Sequence, residues 1–494
     1  AMTNTIAALR RQATPEDQVL LDRLEQSRSH LAALTLNGPG NTKPEIYRAQ
    51  LKPLEAEVEK LESQLSSRRA GFRVQVQPVT LAAVRAALPA DSALVEFAVY
   101  TPREPRTERP QPPRYIVYLL TPQGRMGWAD LGETAPIDRA VERWRQALRD
   151  PNRTDIKQLA RVVNEQVLQP VLLRLGEMPE AARHLLIAPD GLLNLIPFAA
   201  LVDEQNRYLI ERYTITYLTS GRDLLRFQTS EPSRNAPLIM ANPFFGRVAV
   251  SGQAGNQGRA ETDSAELFFQ ALPNTEHEAM AINAVLPEAS VLLRDRATEA
   301  ALKQAQAPSL LHIATHGFFL SDQDETPVET RGLFSHNLAG LSGRGIGKWA
   351  AKIENPLLRS GLALAGVNEH WSRDDDGVLT AMEAASLNLS GTRLVVLSAC
   401  DTGLGDVRNG EGVYGLRRAL VLAGSETQVM SLWPVSDHET RSLMVGYYRR
   451  LLKGEGRGEA LRQIQLRMLK SAEHPYYWAS FIQAGEWANL EGRR

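Results

Sequence analysis

Leu394-Val395-Val396-Leu397-Ser398-Ala399-Cys400 is an apolar run that stops on the chain's single cysteine, and Asp401-Thr402-Gly403-Leu404-Gly405 follows it as a glycine-punctuated loop. The run reads as a strand. A loop at the carboxyl end of a parallel strand is where open α/β sheets put their ligand sites. A second run ends in the same way: Leu310-Leu311-His312-Ile313-Ala314-Thr315 leads into His316-Gly317-Phe318-Phe319. The thiolate is the reactive form of cysteine, and a nearby imidazole can accept its proton. Gly317 lets a backbone N–H come close to a substrate carbonyl. Neighbouring parallel strands ending on His316 and Cys400 would therefore build a Cys–His dyad. Taken singly, a lone cysteine reads as a small core residue and an isolated loop histidine as a backbone-bonded one. The paired strand ends favour the dyad. His312, inside its strand, reads as a packing or supporting residue.

Three segments together resemble the CHAT domain: His312-Ile313-Ala314-Thr315-His316-Gly317, Leu397-Ser398-Ala399-Cys400-Asp401-Thr402-Gly403 and Ser431-Leu432-Trp433-Pro434-Val435-Ser436-Asp437. CHAT domains belong to the caspase-like cysteine peptidases, with separase as a relative, and often accompany tetratricopeptide repeats. The resemblance covers about residues 72 to 490. It implies His316 as general base, Cys400 as nucleophile, and an oxyanion hole from the N–H groups of Gly317 and Cys400. In the separase-like pattern an acidic residue of the Val-x-Asp segment meets a basic P1 side chain. That implies Asp437 as an S1 residue, with Asp401 as a second wall candidate and a preference for Arg, then Lys, at P1. A carboxylate pairs well with a guanidinium because two parallel hydrogen bonds add geometry to charge. The Ser-Asp-His-Glu context of Asp437 suits a helix N-cap equally well.

The 494 residues allow two to four domains and a sizeable core. A net charge of -1 gives no basic field for nucleic acid. No apolar run approaches the roughly 20 residues needed to cross a bilayer, and no secretory signal is expected. One cysteine cannot form an internal disulfide, so a reducing, cytoplasmic setting is the expectation. The opening Ala1-Met2 reads as an expression scar, and the chain as a candidate piece of a longer protein. No tetratricopeptide spacing is evident.

Outward from the two strand ends, the organisation is α/β, and the resemblance makes it tandem caspase-like sheets with an N-terminal helical hairpin. Residues 1 to 70 read as the hairpin. Leu20, Leu24, Leu31 and Leu34 recur at helical spacing, as do Leu51, Leu54, Val58, Leu61 and Leu65, with a break at Asn37-Gly38-Pro39-Gly40-Asn41. Pro53 should kink the second helix or mark its start. The hairpin either packs on the body or docks upstream repeats or a regulatory partner. Residues 71 to 230 read as a first α/β domain, with strands at 93–100 and 115–120 and helices around 136–149 and 154–175. Its Leu185-Leu186-Ile187-Ala188-Pro189-Asp190-Gly191 echoes the His316 segment, with Asp190 where the histidine stands. This half, lacking cysteine, reads as an inactive pseudo-caspase; chance similarity is the alternative. Residues 235 to 494 read as the active, caspase-like domain. Strands alternating with helices predict a mostly parallel sheet covered on both faces.

Other chemistries fail on the residues. Gly343-Arg344-Gly345-Ile346-Gly347-Lys348 lacks the Walker spacing and a preceding strand. Arg408 comes too late for a phosphatase loop. The histidines include no His-Glu-x-x-His, and one cysteine cannot make a thiolate zinc cage. No metal and no cofactor is expected. Arg259, Arg331 and Arg344 lie in long glycine- and charge-rich segments and would be self-cleavage points if P1 is basic. The function expected is a cysteine endopeptidase acting on protein or peptide substrates, with latency until a partner binds as one form of it. The rival is a non-catalytic caspase-like scaffold that signals by binding.

Overall fold

A computed structural model describes residues 15–37, 42–70, 79–104, 109–174, 182–228, 231–246, 269–319, 356–369, 375–398, 406–408, 412–433 and 437–492. Cys400 and Asp401, and the three loop arginines 259, 331 and 344, lie outside them.

One eleven-stranded sheet organises the chain. Its strands are β1 (Ser92–Tyr100), β2 (Arg114–Leu120), β3 (Met126–Glu133), β4 (His184–Ala188), β5 (Thr214–Tyr217), β6 (Leu238–Pro243), β7 (Ser290–Arg294), β8 (Leu310–Ala314), β12 (Leu394–Leu397), β15 (Thr427–Ser431) and β16 (Phe481–Gly485). A separate three-stranded sheet holds β9 (Gly317–Phe319), β10 (Ser360–Ala363) and β11 (Val378–Thr380), and a hairpin holds β13 (Asp406–Arg408) and β14 (Gly412–Tyr414). The spatial order of the large sheet is β3-β2-β1-β4-β5-β16-β15-β12-β8-β6-β7.

Two parallel blocks meet inside this sheet. β1, β4, β5 and β16 run one way; β15, β12, β8, β6 and β7 run the other, because β15 and β16 pair antiparallel. The last strand of the chain thus sits at the joint between the blocks. The mixed α/β class and the mostly parallel pairing agree with the sequence reading.

The central strands are continuous apolar runs because both faces are covered. Leu394, Val396, Leu310 and Val429 pack on one face against Ala279 and Ile282 of α5 (Pro273–Asn283) and against Leu443 and Tyr447 of α9 (Asp437–Leu451); α10 (Arg457–Ser471) completes that layer. Val395, Leu397, Leu311 and Ile313 alternate onto the opposite face. They meet Leu302 of α6 (Glu299–Lys303), Ala384 of α7 (Ala381–Ala384) and Leu420 of α8 (Leu416–Ala423). In the first block α3 (Thr134–Leu148) and α4 (Ile156–Val167) bury Val141, Trp144 and Val163 against β1, β2 and β4. The helix expected over 154–175 is broken: α4 ends at Val167, and a separate short helix runs Gln169–Arg174.

The N-terminal hairpin is present as α1 (Pro15–Asn37) and α2 (Pro44–Ala70). Pro53 lies within α2, so it does not mark the helix start. Leu24, Leu31, Val58, Leu61 and Leu65 form its core with Leu358 and Met382 of the body. Polar anchors reinforce this docking: Arg28 donates to Ser386 Oγ at 2.7 Å and Lys303 Nζ to Ser29 Oγ at 2.9 Å. Among the described residues no helix is long and apolar enough to cross a membrane.

Candidate active site

His316 stands two residues past the end of β8, and its backbone is gripped by β10. Thr315 Oγ1 donates to Ala363 O at 2.5 Å, and Ala363 N donates to His316 O at 2.9 Å. Beyond it, β9 runs antiparallel to β10 with Gly317 opposite Leu362 and Phe318 opposite Gly361. Hydrogen-bonded and non-bonded pairs alternate in such a ladder. The bond from Ala363 N to His316 O stands at the entry to β9. Gly361 is required by this crossing: a Cβ there would stand 2.7 Å from Leu379 O and 2.7 Å from the Phe318 ring.

The His316 ring is fixed by what precedes α5. Nε2 lies 2.8 Å from Gln270 O. A carbonyl only accepts, so Nε2 carries the proton and Nδ1 keeps its lone pair. The ring is flanked by Phe245 and Phe269, with centroids 5.3 and 5.7 Å away. Asn368 ties these two phenylalanines together: its N donates to Phe245 O, its Nδ2 to Phe269 O, and its Oδ1 accepts from Phe269 N. Burial in this nest holds the imidazole below its ordinary pKa of 6.5, and the bond to Gln270 opposes that shift. The ring is therefore a neutral base near pH 7.

α5 reaches two other site elements. Asn274 Nδ2 donates to Asp437 Oδ2 at 2.6 Å. One turn further on, Glu278 Oε2 accepts from Ser398 Oγ at 3.1 Å, and its Oε1 is 3.3 Å from His312 Nε2. His312 Nδ1 in turn lies 3.1 Å from Tyr448 Oη. His312 is thus bonded to Tyr448 and lies close to the Glu278 carboxylate without a hydrogen bond to it, as well as being packed. Asp437 is exposed in the first turn of α9, where its charge suits the positive end of the helix dipole. In the first block Asp190 accepts from Val99 N and Gly191 N, both at 2.8 Å, and ties β1 to the turn after β4.

Of the predicted site residues, the structure describes His316, Gly317 and Asp437, and one segment, 269–283, links the first and last of them. Sequence reasoning missed Gln270, Phe245, Phe269, Asn368 and Glu278. Gln270 acts through its carbonyl, which no side-chain pattern reports. Asn274 and Glu278 are four residues apart and share a helix face, but polar pairs at that spacing line many exposed helices, so the signal is faint. Among the described residues no group of three or more His, Cys, Asp or Glu side chains could hold a metal ion.

Residues 157–486 match the CHAT domain. The chain belongs to the CHAT-domain family. The motif resemblance is thereby borne out across two strand ends and the β15 segment. Tetratricopeptide repeat protein 28 of Mus musculus is 26% identical to this CHAT-domain chain over 322 residues, 61% of this chain and 12% of that protein. The Homo sapiens protein of the same name is 27% identical over 323 residues, with the same shares. The match therefore spans 12% of the length of these curated relatives. Among solved structures, the Saccharomyces cerevisiae separase–securin complex is similar with a TM-score of 0.46 and 9% identity, covering 90% of this chain and 32% of that one. Gingipain R, an Arg-specific cysteine proteinase, gives a TM-score of 0.35 and 10% identity, covering 72% and 75%.

Proposed function

We propose that this CHAT-domain chain is a cysteine endopeptidase of the Cys–His type. His316 Nδ1 takes the proton of Cys400, and the thiolate attacks the scissile carbonyl carbon. The displaced electron pair rests on oxygen, held by the N–H groups of Gly317 and Cys400, each worth about 3 kcal/mol. Collapse returns the pair to the carbonyl and expels the amine, which takes the proton from His316. Water, losing a proton to His316, then cleaves the thioester and restores the thiol.

The observation that carries this reading is the state of His316: the Gln270 carbonyl fixes the tautomer, and an unprotonated Nδ1 remains at the end of β8. The strand register supports the partner. Leu394 pairs with Leu310 and Leu397 with Ile313, in parallel, so β12 and β8 end side by side. Leu394, Val396 and Ser398 share the α5 face of the sheet.

Asp437, and Asp401 beside the nucleophile, are proposed to select Arg, then Lys, at P1. The link from Asp437 through Asn274 to the helix that leads from Gln270 supports this choice. On the same reading, residues 71–230 are an inactive partner half, residues 235–494 the catalytic half, and the hairpin of residues 1–70 the attachment for tetratricopeptide repeats or a regulatory partner.

The test is cleavage of fluorogenic peptides varied at P1, with Cys400→Ala as control. Turnover confined to the native chain and strongest after Arg is expected. Full activity of Asp437→Ala on Arg peptides would remove the S1 assignment alone. If the native chain shows no turnover and Cys400 reacts with a peptide warhead no faster than a free thiol, the chain is a binding scaffold instead.

A further inference from the structure

Glu278 is a carboxylate in the wrong place for a stable core. It is 4% exposed, and its helix neighbours Ala279 and Ile282 pack into the apolar layer with Leu310, Ala314 and Val396. A leucine at this position would cost nothing in desolvation, whereas a buried carboxylate is costly unless it is bonded. Its partners show what it holds. Oε2 accepts from the hydroxyl of Ser398, the residue after β12, whose N–H makes the last ladder bond to Ile313 O at 2.9 Å. Oε1 faces His312 of β8, whose other ring nitrogen meets Tyr448 Oη. The same helix is entered through Gln270, the acceptor for His316. One rigid element therefore grips the end of β12 and the end of β8 together.

We propose that Glu278 is a positioning residue: through Ser398 it sets the strand end that leads to Cys400 against the His316 strand end. This rests on the peptidase reading above. Glu278 touches no reacting atom, and its effect is on alignment; a misplacement of about 1 Å can cost roughly 100-fold in rate.

The experiment compares Glu278→Leu, Glu278→Gln and Ser398→Ala in the full chain. Gln keeps an acceptor for Ser398 and can donate to His312, so it should behave as native. Leu and Ala should each lower kcat about 10- to 100-fold with KM little changed; thermal stability should hold in Glu278→Leu and fall in Ser398→Ala, which leaves the buried carboxylate without its bond. Their double variant should be no slower than either single one. Ser398→Ala removes one hydroxyl, so it keeps the test available if Glu278→Leu folds poorly. Because the chain has one cysteine, the pH profile of alkylation by iodoacetamide reports Cys400 alone. A midpoint below the usual value of about 8.5 is expected in the native chain, moving toward it in Glu278→Leu and Ser398→Ala. A low native midpoint that stays put in both variants overturns the positioning role and leaves the dyad standing. An ordinary native midpoint overturns the dyad, and the positioning role with it.

Discussion

Lys303→Met should loosen the N-terminal hairpin and cost about 3–5 kcal/mol, the usual loss when one member of a buried ion pair is removed. Lys303 Nζ lies 2.9 Å from Glu383 Oε1, 2.5 Å from Glu299 Oε1 and 2.9 Å from Ser29 Oγ on α1. The Glu299 and Glu383 side chains are 2% and 4% exposed, so water cannot replace the ammonium. Glu383 Oε2 keeps its bonds from Thr380 N and Oγ1, which form a capping box at the start of α7. Its Oε1 is left buried and charged, and that orphaned charge dominates the loss. Methionine replaces the aliphatic stem, so little packing is lost. The assay is urea unfolding at pH 7, with limited proteolysis between α1 and α2 reporting hairpin release. Adding Glu383→Gln should recover much of the loss, because it removes the stranded charge. A loss below about 1 kcal/mol, the scale of an exposed pair, or strict additivity in the double variant, would refute the reasoning.

Burial, with Glu383 adding to it, pushes the Glu299 carboxyl up to about 9. Its stabilising contribution is complete below the ordinary 4.5 and is lost as pH rises toward 9, so Glu299→Gln should gain on the native chain steadily across that range in pH-dependent unfolding. His184, bonded to Thr216 Oγ1 within the first block, is pushed by burial down to about 3. Its contribution is present above pH 6.5 and is lost as pH falls toward 3, at about 1.4 kcal/mol per pH unit; His184→Gln should flatten the acid limb of the stability profile. Gly485 has φ +96, and a Cβ there would run into Glu426 O. Gly485→Ala should cost about 1–2 kcal/mol for the left-handed backbone and roughly 1–3 more for the clash, measured as a fall in unfolding midpoint. Arg457, 1% exposed, donates to Glu426, Thr427 and the carbonyls of Arg393, Ala488 and Asn489. Lysine cannot span these acceptors, so Arg457→Lys should destabilise almost as much as Arg457→Met under the same assay.

The legible parts of the fold are those where local pattern and tertiary burial agree. β8 and β12 are uniformly buried, so their apolar runs announce them, and His316 stands two residues past the end of β8. β3 is not legible because it is an edge strand with Met126 and Trp128 more than half exposed and Gly127 and Gly132 inside it. β16 is hidden because Phe481-Ile482-Gln483-Ala484-Gly485 carries a buried glutamine and a left-handed glycine, neither of which belongs to a strand pattern. At the site, His316 is legible by its side chain. Its orientation is not, since that depends on a carbonyl at Gln270 and on aromatic rings brought from Phe245 and Phe269 by the fold. The sequence echo makes Asp190 a histidine replaced. In the structure it serves as a capping side chain for the turn after β4.

The place of β16 has a consequence for biosynthesis. As the chain leaves the ribosome, β1, β4 and β5 emerge before β15, and the strand that separates β5 from β15 is made after both. Until it arrives, β5 and β15 each present an open edge, the kind of surface that invites pairing with another chain. Domains emerging first can fold first during synthesis, but this sheet cannot close until residues 481–485 are available. Joining the halves is a long-range step of the kind that slows folding. Until then the facing edges of β5 and β15 are the part of this sheet most open to pairing with another chain.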